Sequence, residues 1–372
     1  MFTVQLLPVV HPEYAENVAR SLLSHSRGGE NVCLDASATQ AFQPGAVPRL
    51  GNAMRVITRG SLTVVVPSGR SADEPWIEEL VRSGLGLHIA AHAAVIRTRN
   101  RRQTRTLREA LAALPSGGRA LHVRALNEWD VAASRSIGRV QTLVASYLDT
   151  FGTAGTATPS YVVEGVARLV AESIWNVLDH SGKRPLPDSE HVTSWLSVRR
   201  LEPDAMTLLV EGFPGEERST VYFGDMRDRE SPPKGYLEIV INDDGVGVAA
   251  RQSLRSDIYA GSLGEERSDF AAALAEGGSV KLRARDCYVG KDPGFGSAYV
   301  ASSLVTLDGF ASIRSGRLLA YLDGTRHRIG EPAEFVLEDA ERPYIPGTTL
   351  HVILPLGVAS KANDSDCQAS LF

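Results

Sequence analysis

The sequence predicts an α/β protein in two units: a small α/β unit within the first hundred residues, and a second half in which helices cover one face of a mixed or antiparallel sheet. Three observations predict it. Strand-like and helix-like segments alternate with short connections between Asn31 and Ile89. A long amphipathic helix opens at Tyr161, where Val163, Val166, Val170, Ile174 and Val177 recur every three or four residues. Strand candidates then follow at Met206–Glu211, Tyr236–Ile241, Phe310–Arg314, Leu318–Leu322 and Thr349–Leu354. The length agrees, because 372 residues exceed a single core of about 150 residues.

In chain order, Asn31–Leu34, Ala46–Val56 and Ser61–Val66 read as strand, helix, strand. A second helical pattern, Trp76–Ser83, ends at Gly84 and leads into the apolar stretch Gly86–Ile89, completing a βαβα rhythm. From Arg97 to Arg108 the run RTRNRRQTRTLR carries six arginines and almost nothing apolar, which excludes a buried face and marks a connector. Ala120–Leu126 has strand character and Ala132–Leu148 helical spacing, and this stretch is expected to bridge the two units. The interval 248–297 is rich in glycine, charge and short helical pieces, and Ala359–Phe372 reads as a flexible tail.

Composition narrows the function classes. Hydrophobic residues make up 43% and charged residues 22% of the chain, which excludes wholesale disorder. No apolar run reaches the roughly 18–20 residues of a membrane span, and Met1–Val10 lacks the features of a secretory leader, so a cytoplasmic location is expected. Cys33, Cys287 and Cys367 are widely spaced and form no Cys/His cluster, which argues against a disulfide scaffold or a zinc site. A net charge of −5, from 39 basic and 44 acidic residues, is too balanced for a dedicated nucleic-acid or anionic-membrane binder.

Chemistry gathers in the second half. Glu172, Asn176 and Asp179 stand at i, i+4 and i+7 on the 161–179 helix, away from its apolar stripe. LEIVINDDGVGV, from Leu237 to Val248, is a buried-type strand that runs into two acids and two alternate glycines. Such an ending implies a sharp turn and a backbone approached closely by a ligand, although a plain hairpin turn could use the same residues. Gly294-Phe295-Gly296-Ser297 precedes a helical pattern over Ala298–Leu307, and helix-N-terminal amides suit phosphate oxygens. Gly347-Thr348-Thr349 opens a last strand, LHVILP.

In this order and spacing the segments AESIWNVLDHSG, NDDGVGV, PGFGSAYV and PGTTLHVILP resemble the N box and glycine boxes of the GHKL, or Bergerat-fold, ATP-binding family, over about residues 155–356. The resemblance implies an α/β sandwich that binds ATP and Mg2+. It implies that Asn176 holds the magnesium ion, an amide oxygen suiting that hard cation, and that Glu172 is the general base toward water or an acceptor hydroxyl, with Asp179 or His180 nearby. It implies that Asp243, rather than Asp244, accepts a hydrogen bond from the adenine amine. Gly245 and Gly247 then let the base lie against backbone, Gly294, Gly296 and Ser297 offer amides to the phosphates, and Thr348 shares a water with Asp243. Two departures stand out. Ser297-Ala298-Tyr299 replaces the usual Leu-Gly-Leu, and no His-Glu phosphoacceptor helix precedes the domain, so a conventional sensor histidine kinase is not expected.

Residues 28–92 are similar to the STAS domains of anti-anti-sigma factors, through Leu34-Asp35, Gly60 and Ser83-Gly84-Leu85. Where those domains carry an Asp-Ser phosphoacceptor, this chain has Gln43-Pro44. The implied organisation is a small α/β, STAS-like domain over 1–96, a basic connector and bridging helix over 97–154, a GHKL domain over 155–358 and a tail over 359–372. The implied function is ATP-dependent regulation of a protein partner, as a switch or ATPase, with a homodimer among the expected assemblies. A protein serine kinase of the anti-sigma type and a sensor that binds without turnover are the alternatives.

Overall fold

The computed structural model describes residues 1–42, 45–57, 61–66, 95–98, 123–125, 160–181, 195–201, 217–243, 247–252, 261–275 and 296–357, with a few single residues between them. The chain is mixed α/β, and its described residues form a four-stranded parallel sheet, a two-stranded parallel ribbon and a seven-stranded antiparallel sheet.

The parallel sheet has the order β1-β3-β5-β6, formed by β1 (Phe2–Gln5), β3 (Val32–Asp35), β5 (Leu62–Val66) and β6 (Val95–Thr98). A two-stranded parallel ribbon joins β2 (Val9–Val10) to β4 (Ala41–Phe42). Two helices lie between these strands, α1 (Pro12–Arg27) and α2 (Ala46–Val56). Helix α1 starts at Pro12, whose missing N–H costs nothing in a first turn, and His11 caps it by accepting the Tyr14 N–H at 3.2 Å. Its Ala15, Val18, Ala19, Leu22 and Leu23 form one buried stripe. Because each strand of the sheet steps to the next neighbour, right-handed crossovers put both helices on one face. That face carries Val32, Leu34, Leu62, Val64, Val66 and Ile96 into a core shared with α1 and α2.

The expected strand, helix, strand at 31–66 is present. β1 and α1 precede it and were not singled out in the sequence. Leu85, Gly86 and Ile89 are helical, and the fourth strand is Val95–Thr98. The arginine run therefore begins inside a strand, with Arg97 paired to Val65. Trp76–Ser83, Gln43-Pro44 and residues 99–108 lie outside the described residues.

The antiparallel sheet has seven strands in the order β12-β11-β10-β13-β9-β8-β7. These are β7 (Val123–Ala125), β8 (Trp195–Leu201), β9 (Gly235–Asp243), β10 (Phe310–Gly316), β11 (Leu318–Asp323), β12 (Val336–Leu337) and β13 (Ile345–Leu356). β7 falls in the stretch expected to bridge the two units and pairs with β8, a strand the sequence did not suggest. The candidate at Met206–Glu211 lies outside the described residues, as does the tail.

Every residue of β9 is buried, so both faces of the sheet are covered there. On the front face Leu237, Ile239 and Ile241 pack with α3 (Ser160–Ser181), α5 (Val248–Gln252), α6 (Leu263–Leu274) and α7 (Gly296–Thr306). The back face was expected to carry no helices. Instead α4 (Glu217–Arg227) covers its Leu201, Tyr236, Phe310 and Ile353 with Tyr222, Phe223 and Met226. The rest of the back face is covered by the N-terminal unit, whose core continues into Val240 and Ile345. Apolar residues at alternate positions of one strand thus serve two cores.

Charge also crosses this junction. The Glu16 carboxylate of α1 meets Arg314 Nε of β10 at 3.0 Å, Arg342 Nη1 at 3.2 Å and Arg49 Nε of α2 at 3.6 Å. Burial pushes the carboxyl pKa up, but the three guanidinium groups outweigh it and hold the value down at about 2, against an ordinary 4.5. Burial lowers Arg49 to about 10, which leaves it charged at neutral pH.

Glu16→Gln removes the anion from two buried cations and a third, partly exposed one, and is expected to lower unfolding free energy by about 3 kcal/mol or more at neutral pH. Because the native pKa is depressed, the unfolded chain binds the proton more readily. The stabilisation is complete above an ordinary carboxylate pKa and is lost as pH falls towards about 2. Urea titrations at successive pH values should show this acid loss in the wild type and its absence in the variant.

Candidate functional site

The turn after β9 and the start of β13 bring some of the residues singled out in the sequence together at the front end of the antiparallel sheet. Asp243 is the last residue of β9 and is 8% exposed. Its Oδ1 accepts the Gly245 N–H at 2.8 Å, a side-chain closure that turns the chain directly after the strand. Thr348 of β13 lies directly opposite Asp243 in the ladder. The alternation along each strand puts both side chains on the front face, with Ile241 and Leu350 of the core.

Gly247 needs to be glycine on two counts. Its φ is 91°, and a Cβ there would stand 2.8 Å from Ser315 Oγ. Ser315 ends the inward row of β10 and was not anticipated. Its hydroxyl accepts the Val248 N–H at 2.9 Å, donates to the Gly347 carbonyl at 3.1 Å and lies 3.3 Å from Thr348 Oγ1. One hydroxyl therefore joins the turn after β9 to the start of β13. Beside it, the Arg317 guanidinium ties the β10–β11 turn to the buried Glu266 carboxylate of α6 and to the Gly261 carbonyl.

The third wall is helical. α3 packs against β9 and α7. Gly165 lets it approach Leu307, and the Arg168 guanidinium lies 4.4 Å over the Tyr299 ring of α7. One turn beyond Arg168 is Glu172, half-buried and outside the Val166–Val170 stripe, as its sequence position implied. Asn176 continues α3 by one more turn, but its side chain lies outside the described residues, together with those of Asp179 and His180. Gly296 opens α7 and Ser297 follows it, half-buried, while Gly294 is outside the described residues. The structure thus joins Asp243, Gly245, Gly247 and Thr348 in one turn cluster, and α3 and α7 pack together on the same face of the sheet.

A second layer lies behind the cluster. Asn242, fully buried, exchanges side-chain hydrogen bonds with Asn52 of α2, Asn52 Nδ2 to Asn242 Oδ1 at 3.1 Å and Asn242 Nδ2 to Asn52 Oδ1 at 2.9 Å. The Asn52 amide also donates to the Asp243 carbonyl at 3.4 Å, and Thr349 Oγ1 donates to Asn242 Oδ1 at 2.8 Å. Glu238, four residues earlier on the same face, meets His351 Nε2 at 3.0 Å. Polar residues at 238 and 242 of an otherwise apolar strand were the available sequence signal.

Among the described residues no group of three His, Cys, Asp or Glu side chains is arranged to hold a metal ion, and no helix is long and apolar enough to cross a membrane. Compared with family models, curated proteins and solved structures, the chain matches none. The functional argument therefore rests on the cluster itself: a buried carboxylate beside a glycine turn, where an acceptor meets a closely approachable backbone.

Gly247→Ala should destabilise the protein by about 1–3 kcal/mol, from its backbone conformation and the displaced Ser315 hydroxyl. Gly224→Ala, in the interior of α4 with nothing within 4 Å of its added methyl, should instead stabilise by about 0.5–1 kcal/mol. Urea midpoints of the two variants measure the contrast.

Proposed function

We propose that this protein is a cytoplasmic ATP-binding regulator built on a GHKL nucleotide domain, with a STAS-like N-terminal unit, whose ATP-dependent state is read by a protein partner. One observation carries the reading most: Asp243, the acid the resemblance assigns to adenine, is buried at the end of the central strand, directly across the ladder from Thr348. A carboxylate acceptor fits the exocyclic amine of adenine, and Gly245 and Gly247 bring no side chains of their own to the adjoining turn. The start of α7 supplies amides of the right polarity for phosphate oxygens.

The donor chemistry also fits magnesium. Asn176 would hold the ion with its amide oxygen, and the ion would neutralise charge on the phosphate oxygens. Glu172 lies on the same helix, one turn before Asn176 and away from the packed stripe, and is assigned as the base that accepts a proton from the attacking water or hydroxyl. A regulator of the serine-kinase type uses the same pocket with a protein hydroxyl admitted, and a sensor uses it with no proton transfer.

Calorimetry on the full chain tests binding. Wild type should take up ATP with magnesium, Asn176→Ala should lose the magnesium-dependent part, and Asp243→Asn should lose preference for adenine, since an amide presents a donor as readily as an acceptor. Wild-type affinity in Asp243→Asn would overturn the placement of the pocket. Glu172→Ala should keep ATP affinity within a few-fold while reducing phosphate release or phosphotransfer from γ-labelled ATP by about a hundredfold. Normal turnover in that variant overturns its assignment as base, and no turnover in wild type with any protein acceptor leaves the binding-only form of the proposal.

A further inference from the structure

We propose that Asn52, on α2 of the N-terminal unit, is a positioning residue for Asp243, so that the N-terminal unit is a working part of the nucleotide site. The inference rests on the ATP reading above and goes beyond it, since that reading places every site residue within 155–358.

Asn242 and Asp243 are neighbours on β9 and face opposite sides of the sheet. The back-facing Asn242 is held by two mutual amide bonds with Asn52 and by Thr349. The front-facing Asp243 carries the carboxylate, and its own carbonyl receives the Asn52 amide. Three groups with at most 5% exposure therefore fix the rotation of the peptide that aims the carboxylate. Two buried amides are not required for cohesion here. Val240 and Ile345 already carry the apolar core of the N-terminal unit onto this face, and a pair of apolar side chains of like shape can replace a buried polar pair at little cost. What an apolar pair lacks is direction. The reciprocal bonds specify a single register between α2 and the end of β9.

The same arrangement recurs on β10. Arg314 faces back into the Glu16 carboxylate of α1, and its neighbour Ser315 faces forward to bond Val248 and Gly347. In both strands the residue gripped by the N-terminal unit immediately precedes a residue of the turn cluster. Position, rather than contact with the ligand, is thus the contribution of Asn52.

The test compares ATP with inosine triphosphate, in which oxygen replaces the adenine amine, on the full-length protein. Wild type should prefer ATP. Asn52→Leu should weaken ATP binding by at least about tenfold while changing inosine triphosphate binding little, so the preference falls towards one. A loss of general stability would weaken both ligands alike, and urea unfolding of the same samples measures it. If Asn52→Leu does not fold, Asn52→Ser and Thr349→Val take its place, with the same fall in preference expected. An unchanged preference in the folded variants overturns the positioning role while leaving the ATP reading intact. Wild type that binds neither nucleotide overturns the ATP reading and this inference together.

Discussion

Glu16 presents one carboxylate to three guanidinium groups from α2, β10 and the segment before β13; Glu16, Arg49 and Arg314 are almost wholly buried and Arg342 is partly exposed. Without Glu16, Arg49 and Arg314 would each leave a charge where solvent scarcely reaches, whereas Arg342 also pairs with Glu338 at 2.6 Å. α1 and α2 are therefore held at one angle and one height on the antiparallel sheet. Apolar contact alone would not impose this, since dispersion and hydrophobic burial tolerate sliding and rotation. The alignment of Asn52 with Asn242 depends on that placement, and so does the fit of Gly45, whose absent side chain leaves the His351 ring in close contact.

The sheet converts this placement into geometry at its far face. Strand side chains alternate at a period of two, so a residue fixed from behind determines the position of the next residue in front. β9 uses the rule throughout: Leu237, Ile239 and Ile241 enter the helical core, while Glu238, Val240 and Asn242 enter the back layer. A strand with one solvated face could shift at its end without penalty. β9 has no such freedom up to Asp243, and the glycine turn begins where that constraint ends.

The front of the molecule was largely legible in the sequence, because its signals are local. The period of the α3 stripe, the run of β9 into Gly245 and Gly247, and the Gly-Thr opening of β13 are each contained within a dozen residues. The back was not. Glu16 and Asn52 look like ordinary polar residues of amphipathic helices, and their partners on the antiparallel sheet lie 190 residues away or more. Glu238 and Asn242 did carry a sign, two polar residues at even spacing in a strand otherwise apolar, which marks a second buried face with polar partners. β8 escaped notice because Arg199 and Arg200 interrupt its apolar pattern, and Ser315 because a hairpin-end serine has no local mark of its contacts. The tight Gly247 backbone, by contrast, was implied by the glycine spacing, and the agent that crowds it is a neighbouring strand's hydroxyl.

A boundary at residue 155, taken from motif positions, cuts across contacts that the antiparallel sheet makes with the preceding chain. Cutting there removes β7, leaving one side of β8 without its ladder partner. It also bares Val240 and Ile345, takes Glu16 from Arg314 and takes Asn52 from Asn242. The arginine would gain water in exchange, so the charge itself is not the main loss. The larger loss is the second covered face, which in the intact chain stops β9 and β10 from flexing where the turn cluster is attached. A surface of that mixed apolar and polar kind invites either collapse or adventitious association. The N-terminal unit therefore supplies the rear layer of the antiparallel sheet around Val240 and Ile345 as well as a core of its own.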